Sequence, residues 1–175
     1  MDRQEVHDEL DRACADFAQI IDGATVAEMR RPSNGTNWTN EQLLFHMLFG
    51  YLLVRNLLPL VRGFSRLPDG ASTRFATTLN SATRPFHQIN YVGSLGGARV
   101  LGYLGMQRLM RRVIRDLHLS LQRRTDDELS RGMHFPVGWD PYFRDFMTVQ
   151  DVLHYATQHY DHHRRQLTLS NANSD

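Results

Sequence analysis

Nine histidines occur in the 175-residue chain, and four of them, His154, His159, His162 and His163, fall in one short stretch. Imidazole is the commonest metal-ligating side chain. Steps of three and four residues from Val149 reach Val152, Ala156, His159, His163 and Gln166. The periodicity that buries the first two therefore carries two imidazoles inward as well. Residues four apart on a helix stand about 5–6 Å apart at Cβ and face the same way. That lets both rings reach one cation at a nitrogen–metal distance of about 2.0–2.1 Å. His162 falls on the flank of this seam and His154 nearly opposite it, so both read as solvent-facing or supporting groups. Asp161, Arg164 and Arg165 fall off it.

A second seam has the same character. Leu43, His46, Gly50, Leu53, Leu57 and Leu60 recur in steps of three and four, with His46 the lone polar member and Gly50 leaving room beside it. At a rise of about 1.5 Å per residue, His46 lies roughly 10 Å above Thr39, where its helix starts. The midpoint of His159 and His163 lies roughly 10 Å below the end of theirs, near Leu169. If the two helices are antiparallel with flush ends, all three rings share one level. Clustered buried imidazoles have few partners except a metal or one another, so this reads as a metal site. A structural histidine network is the alternative.

Three neutral protein ligands leave a coordination position open, the pattern of a catalytic site rather than a closed structural one. Such a site acidifies water or accepts an incoming thiolate. The expected cofactor is a divalent metal, zinc or nickel first, with iron or manganese as further candidates; the spacing does not choose among them. The HExxH pattern of metalloproteases is missing, because Tyr160 stands where its glutamate would be. Asp140, Asp161 or His134 could supply a general base only if the loop before the last helix folds over the metal. The catalytic base is left unassigned.

Four long amphipathic segments position these residues. The first runs over about 2–22, with Val6, Leu10, Cys14, Phe17 and Ile21 on one stripe. The second follows a capping box at Thr39 and Gln42 and reaches about Arg62. The third runs from near Ala98 to Arg124, with Val100, Tyr103, Leu104, Leu109, Val113, Leu117 and Leu121 as its stripe. The fourth runs from Thr148 to about Leu169. Residues 63–97 read as irregular, with a short helix near 72–83 and turns at Pro85 and at Gly93, Gly96 and Gly97. Residues 125–147 read as a second irregular stretch. Strand signals are nearly absent, so the expected fold is all-α, a four-helix bundle over 1–170 followed by a polar tail at 171–175. The link between the second and third helices is too long for a tight hairpin and permits a crossover.

Composition narrows the function classes. Hydrophobic residues make 41% and charged residues 22%, which excludes a disordered chain. A net charge of +1 gives no global case for nucleic acid as a partner. Cys14 is the only cysteine, which excludes an internal disulfide or a cysteine zinc cluster; it reads as an inert core residue. All 20 basic residues are arginine, which excludes Schiff-base and Walker A lysine chemistry and hints at a GC-rich genome. Arg108, Arg111, Arg112, Arg115, Arg123 and Arg124 read as a solvated face, with an anionic-substrate or membrane-surface patch as the alternative. Trp139, Tyr142 and Phe143 read as packing in a bundle-capping loop, with a pocket wall as the alternative. The apolar stretch Leu43–Val61 is interrupted by His46, Arg55, Asn56 and Pro59, so it reads as a buried helix, with no membrane partner. No secretory signal is visible, and the expected location is cytoplasmic.

Two motifs carry a family resemblance: residues 37–46, from Asn37 and Trp38 to His46, and Thr148 to Leu153 followed by His159, His163 and Gln166. Together they resemble the DinB/YfiT-like metalloprotein family over nearly the whole chain. The resemblance implies an up-down-down-up bundle, a three-histidine divalent metal site at His46, His159 and His163, and a homodimer. It also implies a small-molecule substrate and, in many members, S-transfer with a low-molecular-weight thiol; the GC-rich hint makes mycothiol the natural one. Metal-dependent hydrolysis and a non-catalytic stress or binding role are the alternatives. The segment 63–97 departs from the family, so the substrate class does not carry over.

Overall fold

The computed structural model describes residues 2–170, and the expected tail at 171–175 lies outside them. In chain order the elements are α1 (Arg3–Gly23), α2 (Val26–Met29), α3 (Asn40–Phe64), α4 (Asp69–Ser81), α5 (Thr83–Gln122), α6 (Asp126–Ser130), β1 (Gly132–His134), β2 (Phe146–Thr148) and α7 (Val149–Arg164). The four long segments of the sequence are α1, α3, α5 and α7. Local chemistry sets their starts. Asp2 accepts from Glu5 N–H at the head of α1, and Thr148 accepts from Asp151 N–H at the head of α7. At the head of α3 Gln42 Oε1 accepts from Thr39 N–H at 3.0 Å, while the Thr39 hydroxyl itself has no partner.

Side-chain pairs fix the directions. Glu9 meets His154 and Asp16 meets Tyr160, so α1 and α7 run parallel. Asp11 meets His118 and Asp22 meets Gln107, so α1 and α5 run antiparallel. Glu41 meets Tyr103 and Arg55 meets Asp116, which makes α3 and α5 parallel. Tyr51 meets Thr157 and His46 meets His163, which makes α3 and α7 antiparallel. The bundle is therefore up-down-down-up. α1 and α3 lie on one diagonal, each packed against both α5 and α7. By length and composition α3 could cross a membrane. Here it is the central helix, with Leu43, Leu44, Met47, Leu48, Tyr51 and Val54 buried in the core.

Several expectations need correction. Helix α5 begins at Thr83 rather than near Ala98. Pro85 lies in its first turn, where a missing N–H costs no intrahelical bond, and Gly93, Gly96 and Gly97 lie inside it. The Cβ that Gly97 lacks would meet the Phe45 ring, so small residues let α5 approach α3. The helix is kinked at Gly102 (φ 60°, ψ 178°), a conformation essentially confined to glycine. The kink resets the helical phase, which leaves Val100 and Leu104 at 83% and 65% exposure instead of on the buried stripe. Leu60 also turns outward, and α7 ends at Arg164, short of Leu169. The stretch 125–147 holds α6 and an antiparallel pair, β1 with β2, in which Met133 faces Met147. Strands of three residues are too short to show an alternating pattern.

One buried polar residue clamps the end of the bundle that carries the histidines. The Asn40 amide donates to Glu28 O (2.8 Å) and Thr168 Oγ1 (3.0 Å), and its oxygen accepts from Thr168 N–H (3.1 Å). Asn40→Ala leaves the Thr168 amide without its acceptor, while the Glu28 carbonyl keeps the Arg31 N–H at 3.1 Å; loss of such a buried partner costs about 1–3 kcal/mol. The urea midpoint of the variant is expected to fall accordingly; an unchanged midpoint would show that the clamp contributes nothing.

Candidate metal centre

α3 and α7 bring the three seam histidines to one point. His46 Nε2 lies 3.1 Å from His163 Nε2 and 3.1 Å from His159 Nε2. One candidate donor atom from each ring lies within 4.8 Å of the others. His46 and His159 are buried at 5% and 4% exposure, and His163 is half-buried. Gly50 makes the approach possible: a Cβ there would stand 2.6 Å from His159 Nδ1. The antiparallel arrangement is the one expected from the two seams; the rings meet although α7 ends at Arg164, so the flush ends assumed for the depth estimate are not what brings them level.

The hydrogen bonds around the rings decide what can occupy the centre. His46 Nδ1 faces Asn90 Oδ1 at 3.2 Å, and His163 Nδ1 faces Gln166 Oε1 at 2.7 Å. An amide oxygen only accepts, so both Nδ1 atoms donate and both Nε2 atoms keep a bare lone pair. Those lone pairs point at each other across 3.1 Å. His159 can offer a proton to His46, but nothing then separates His46 from His163. Protonation is not an easy relief. Burial pushes His46 down to about 3 and His163 down to about 4, and it holds His159 well below the ordinary histidine range. A cation fits the donor set instead. Two nitrogens bound to one metal stand about 2.9–3.4 Å apart for angles between octahedral and tetrahedral. His159 Nδ1 is buried without a partner. The amides on the other two rings are the outer supports that fix a ligand's tautomer and orientation.

The loop between β1 and β2 does fold over this point, and it selects among the three candidate bases. Asp140 Oδ2 lies 3.7 Å from His159 Nε2, with its side chain 14% exposed. Tyr155 O–H donates to Oδ2 at 3.0 Å and Tyr142 N–H donates to Oδ1 at 2.9 Å. Burial raises the Asp140 pKa, and these hydrogen bonds oppose the rise. Asp161 is held away by Arg12, and His134 pairs with Asp145 at 3.2 Å. His154 pairs with Glu9, and His162 Nδ1 bonds the Tyr142 hydroxyl at 3.1 Å, so neither joins the triad.

A cleft of about 20 Å³ opens beside the triad between Gly50, Phe86, Asn90, Trp139, Asp140 and Phe143. Trp139 and Phe143 thus wall a pocket as well as packing the loop. Trp139 stacks on Phe86 at 3.9 Å and donates to Leu79 O. Trp38 stacks on the His46 ring at 4.5 Å. Sequence reasoning missed Asn90, Phe86 and the role of Trp38. Gln166 had a signal, since it continues the seam of His159 and His163.

Divalent metal bound by the purified chain, measured by elemental analysis, is expected near one per chain and near zero in His159→Ala or His163→Ala. Gly50→Ala, which displaces the His159 ring, is expected to weaken metal affinity by about 10–100-fold while leaving the helical circular-dichroism signal intact. Stoichiometric metal in the histidine variants would refute the ligand assignment.

Comparison with known proteins gives one family. The family model of the DinB superfamily matches residues 9–167, a span that contains His46, Asp140, His159, His163 and Gln166. No curated protein and no solved structure matches the chain. With nearly its whole length covered, the chain belongs to the DinB superfamily.

Proposed function

We propose that this chain is a divalent-metal-dependent enzyme acting on a small molecule, with His46, His159 and His163 as the metal ligands and zinc or nickel as the occupant. The observation that carries this reading is the pair of bare imidazole lone pairs aimed at each other in a dry site, with a carboxylate beside them. When bound, a divalent cation supplies Lewis acidity, which makes a nucleophile at its open side easier to deprotonate. The chain's own residues do the rest. Asn90 and Gln166 hold two rings in the tautomer that presents Nε2. Asp140 Oδ2 accepts the proton that the nucleophile gives up, and the Tyr155 hydroxyl keeps that oxygen aimed at the centre. Phe86 and Trp139 exclude bulk water.

The leading reading of the nucleophile is a low-molecular-weight thiol such as mycothiol, transferred to a small electrophile. It is supported by family membership and by the open side of a neutral three-nitrogen donor set. Hydrolysis of a small substrate is the second reading. It is favoured by the closed dimensions of the cleft, which match a water better than a thiol, and by a carboxylate where a thiolate would meet repulsion. Asp140→Asn keeps the shape and removes the proton acceptor. Metal content is expected to stay unchanged while kcat falls about 10²–10⁴-fold, in a mycothiol-transfer assay under the first reading and an ester or amide panel under the second. Unchanged kcat would remove Asp140 from the chemistry. No turnover of any panel member by the metal-loaded chain would leave a binding role.

We also propose a homodimer. Ile89, Val92, Val100 and Leu104 expose a row of large apolar side chains along α5, at 71%, 63%, 83% and 65%. A second copy of the chain covers such a face at little cost. Sedimentation is expected to show a dimer that Leu104→Glu converts to monomer; a monomeric parent chain would sink the idea.

A further inference from the structure

The far end of the bundle carries a second cleft of different chemistry. It has a volume of about 400 Å³ and is walled by Arg62 and Arg66 at the end of α3, Arg123 and Arg124 at the end of α5, and Arg131 after α6. Asp116 and Glu128 are its only acidic lining residues, so five guanidiniums stand against two carboxylates. Neither carboxylate is aimed at the cleft arginines. Asp116 pairs with Arg55 at 3.3 Å and Arg115 at 3.7 Å, both outside the lining. Glu128 closes the capping box of α6 with Thr125. Arg131 pairs with Asp127 at 2.6 Å. Among the described residues, Arg62, Arg66 and Arg123 have no carboxylate within salt-bridge distance.

Helix ends explain part of this arrangement. Arg62 sits in the last turn of α3, and Arg124 Nη1 donates to Ser120 O near the end of α5, where cations answer the carbonyl end of the helix. They do not explain why Arg66, Arg123 and Arg131 line the same cleft. Burial pushes the Arg124 guanidinium down; the nearby charge of Glu128 opposes this, and the weaker repulsion from Arg62 adds to it.

We infer that this cleft is a binding site for a small anion carrying two or more phosphate groups. The planar fork of arginine matches phosphate oxygens two at a time. The volume falls in the range of small-ligand pockets, roughly 300–1,000 Å³. A diphosphate group can touch guanidiniums from α3 and α5 together, which a single monovalent ion cannot. The site is separate from the histidine centre: Arg62 lies sixteen residues along α3 from His46, about 24 Å at 1.5 Å per residue. It therefore serves as a second ligand site and not as a subsite of the proposed reaction.

Calorimetric titration of the full, metal-loaded chain with inorganic pyrophosphate tests this, at near-physiological ionic strength where long-range attraction is screened. Saturable one-to-one binding is expected. The double variant Arg62→Ala/Arg123→Ala removes two exposed cleft guanidiniums and is expected to weaken binding by about a hundredfold, about tenfold for each charged contact. Arg108→Ala/Arg112→Ala removes the same charge from exposed positions outside the cleft and is expected to change affinity little. Metal content should be the same in all three proteins, so failure here is distinguishable from failure of the histidine site. No saturable binding, or equal losses in the two double variants, would overturn the proposal.

Discussion

Two imidazole nitrogens with bare lone pairs, 3.1 Å apart and largely withdrawn from solvent, form the contact on which the site's arrangement turns. Neither ring can escape by tautomerism, because Asn90 and Gln166 hold the opposite nitrogens as donors. Neither can escape easily by protonation, because burial disfavours the imidazolium. A divalent cation relieves all of this at once, and removing water strengthens its attraction for the nitrogens. Any affinity of this point for a cation is thus a consequence of one desolvated cluster.

The long crossover follows from the same requirement. Antiparallel α3 and α7 place His46 level with His159 and His163. With α5 parallel to α3, the chain must travel back along the bundle before α5 can begin its descent. That return is made by α4 and joined to the first turns of α5, and it is not idle connection. It supplies Asn90, which fixes the His46 tautomer, and Phe86, which stacks on Trp139 over the cleft. The apolar row on the same part of α5 faces outward, so one helix both roofs the site and offers the face proposed for a second copy.

The helical bundle and the histidine triad were legible because both are written in short periods. Steps of three and four put His46 and His163 on inward-facing seams, whereas the depth estimate rested on a helix end near Leu169 that lies at Arg164 instead. Asn90 was not legible, because a polar residue in a glycine- and threonine-rich stretch has no periodic neighbours to orient it. The start of α5 was hidden for a related reason: Gly93, Gly96 and Gly97 are read as breakers unless one knows that the Phe45 ring fills the space beside Gly97. Asp140 was visible as a candidate, but its selection over Asp161 and His134 depends on β1 pairing with β2 across a loop, a long-range contact that local pattern does not encode.

Net charge hid the other asymmetry. A total of +1 describes a chain whose charges nearly cancel, yet cancellation over a whole molecule says nothing about any one cleft. The two ends of the bundle carry opposite electrostatic problems. At the histidine end, burial keeps basic groups neutral, so the chain holds donors that need a cation. At the arginine end the basic groups cannot shed their charge, because guanidinium remains protonated even when partly buried. Arg124 accordingly stays charged although burial disfavours it. A neutral donor cluster calls for a metal and an irreducible cationic one calls for an anion. The use of arginine at every basic position makes the second requirement permanent at any physiological pH.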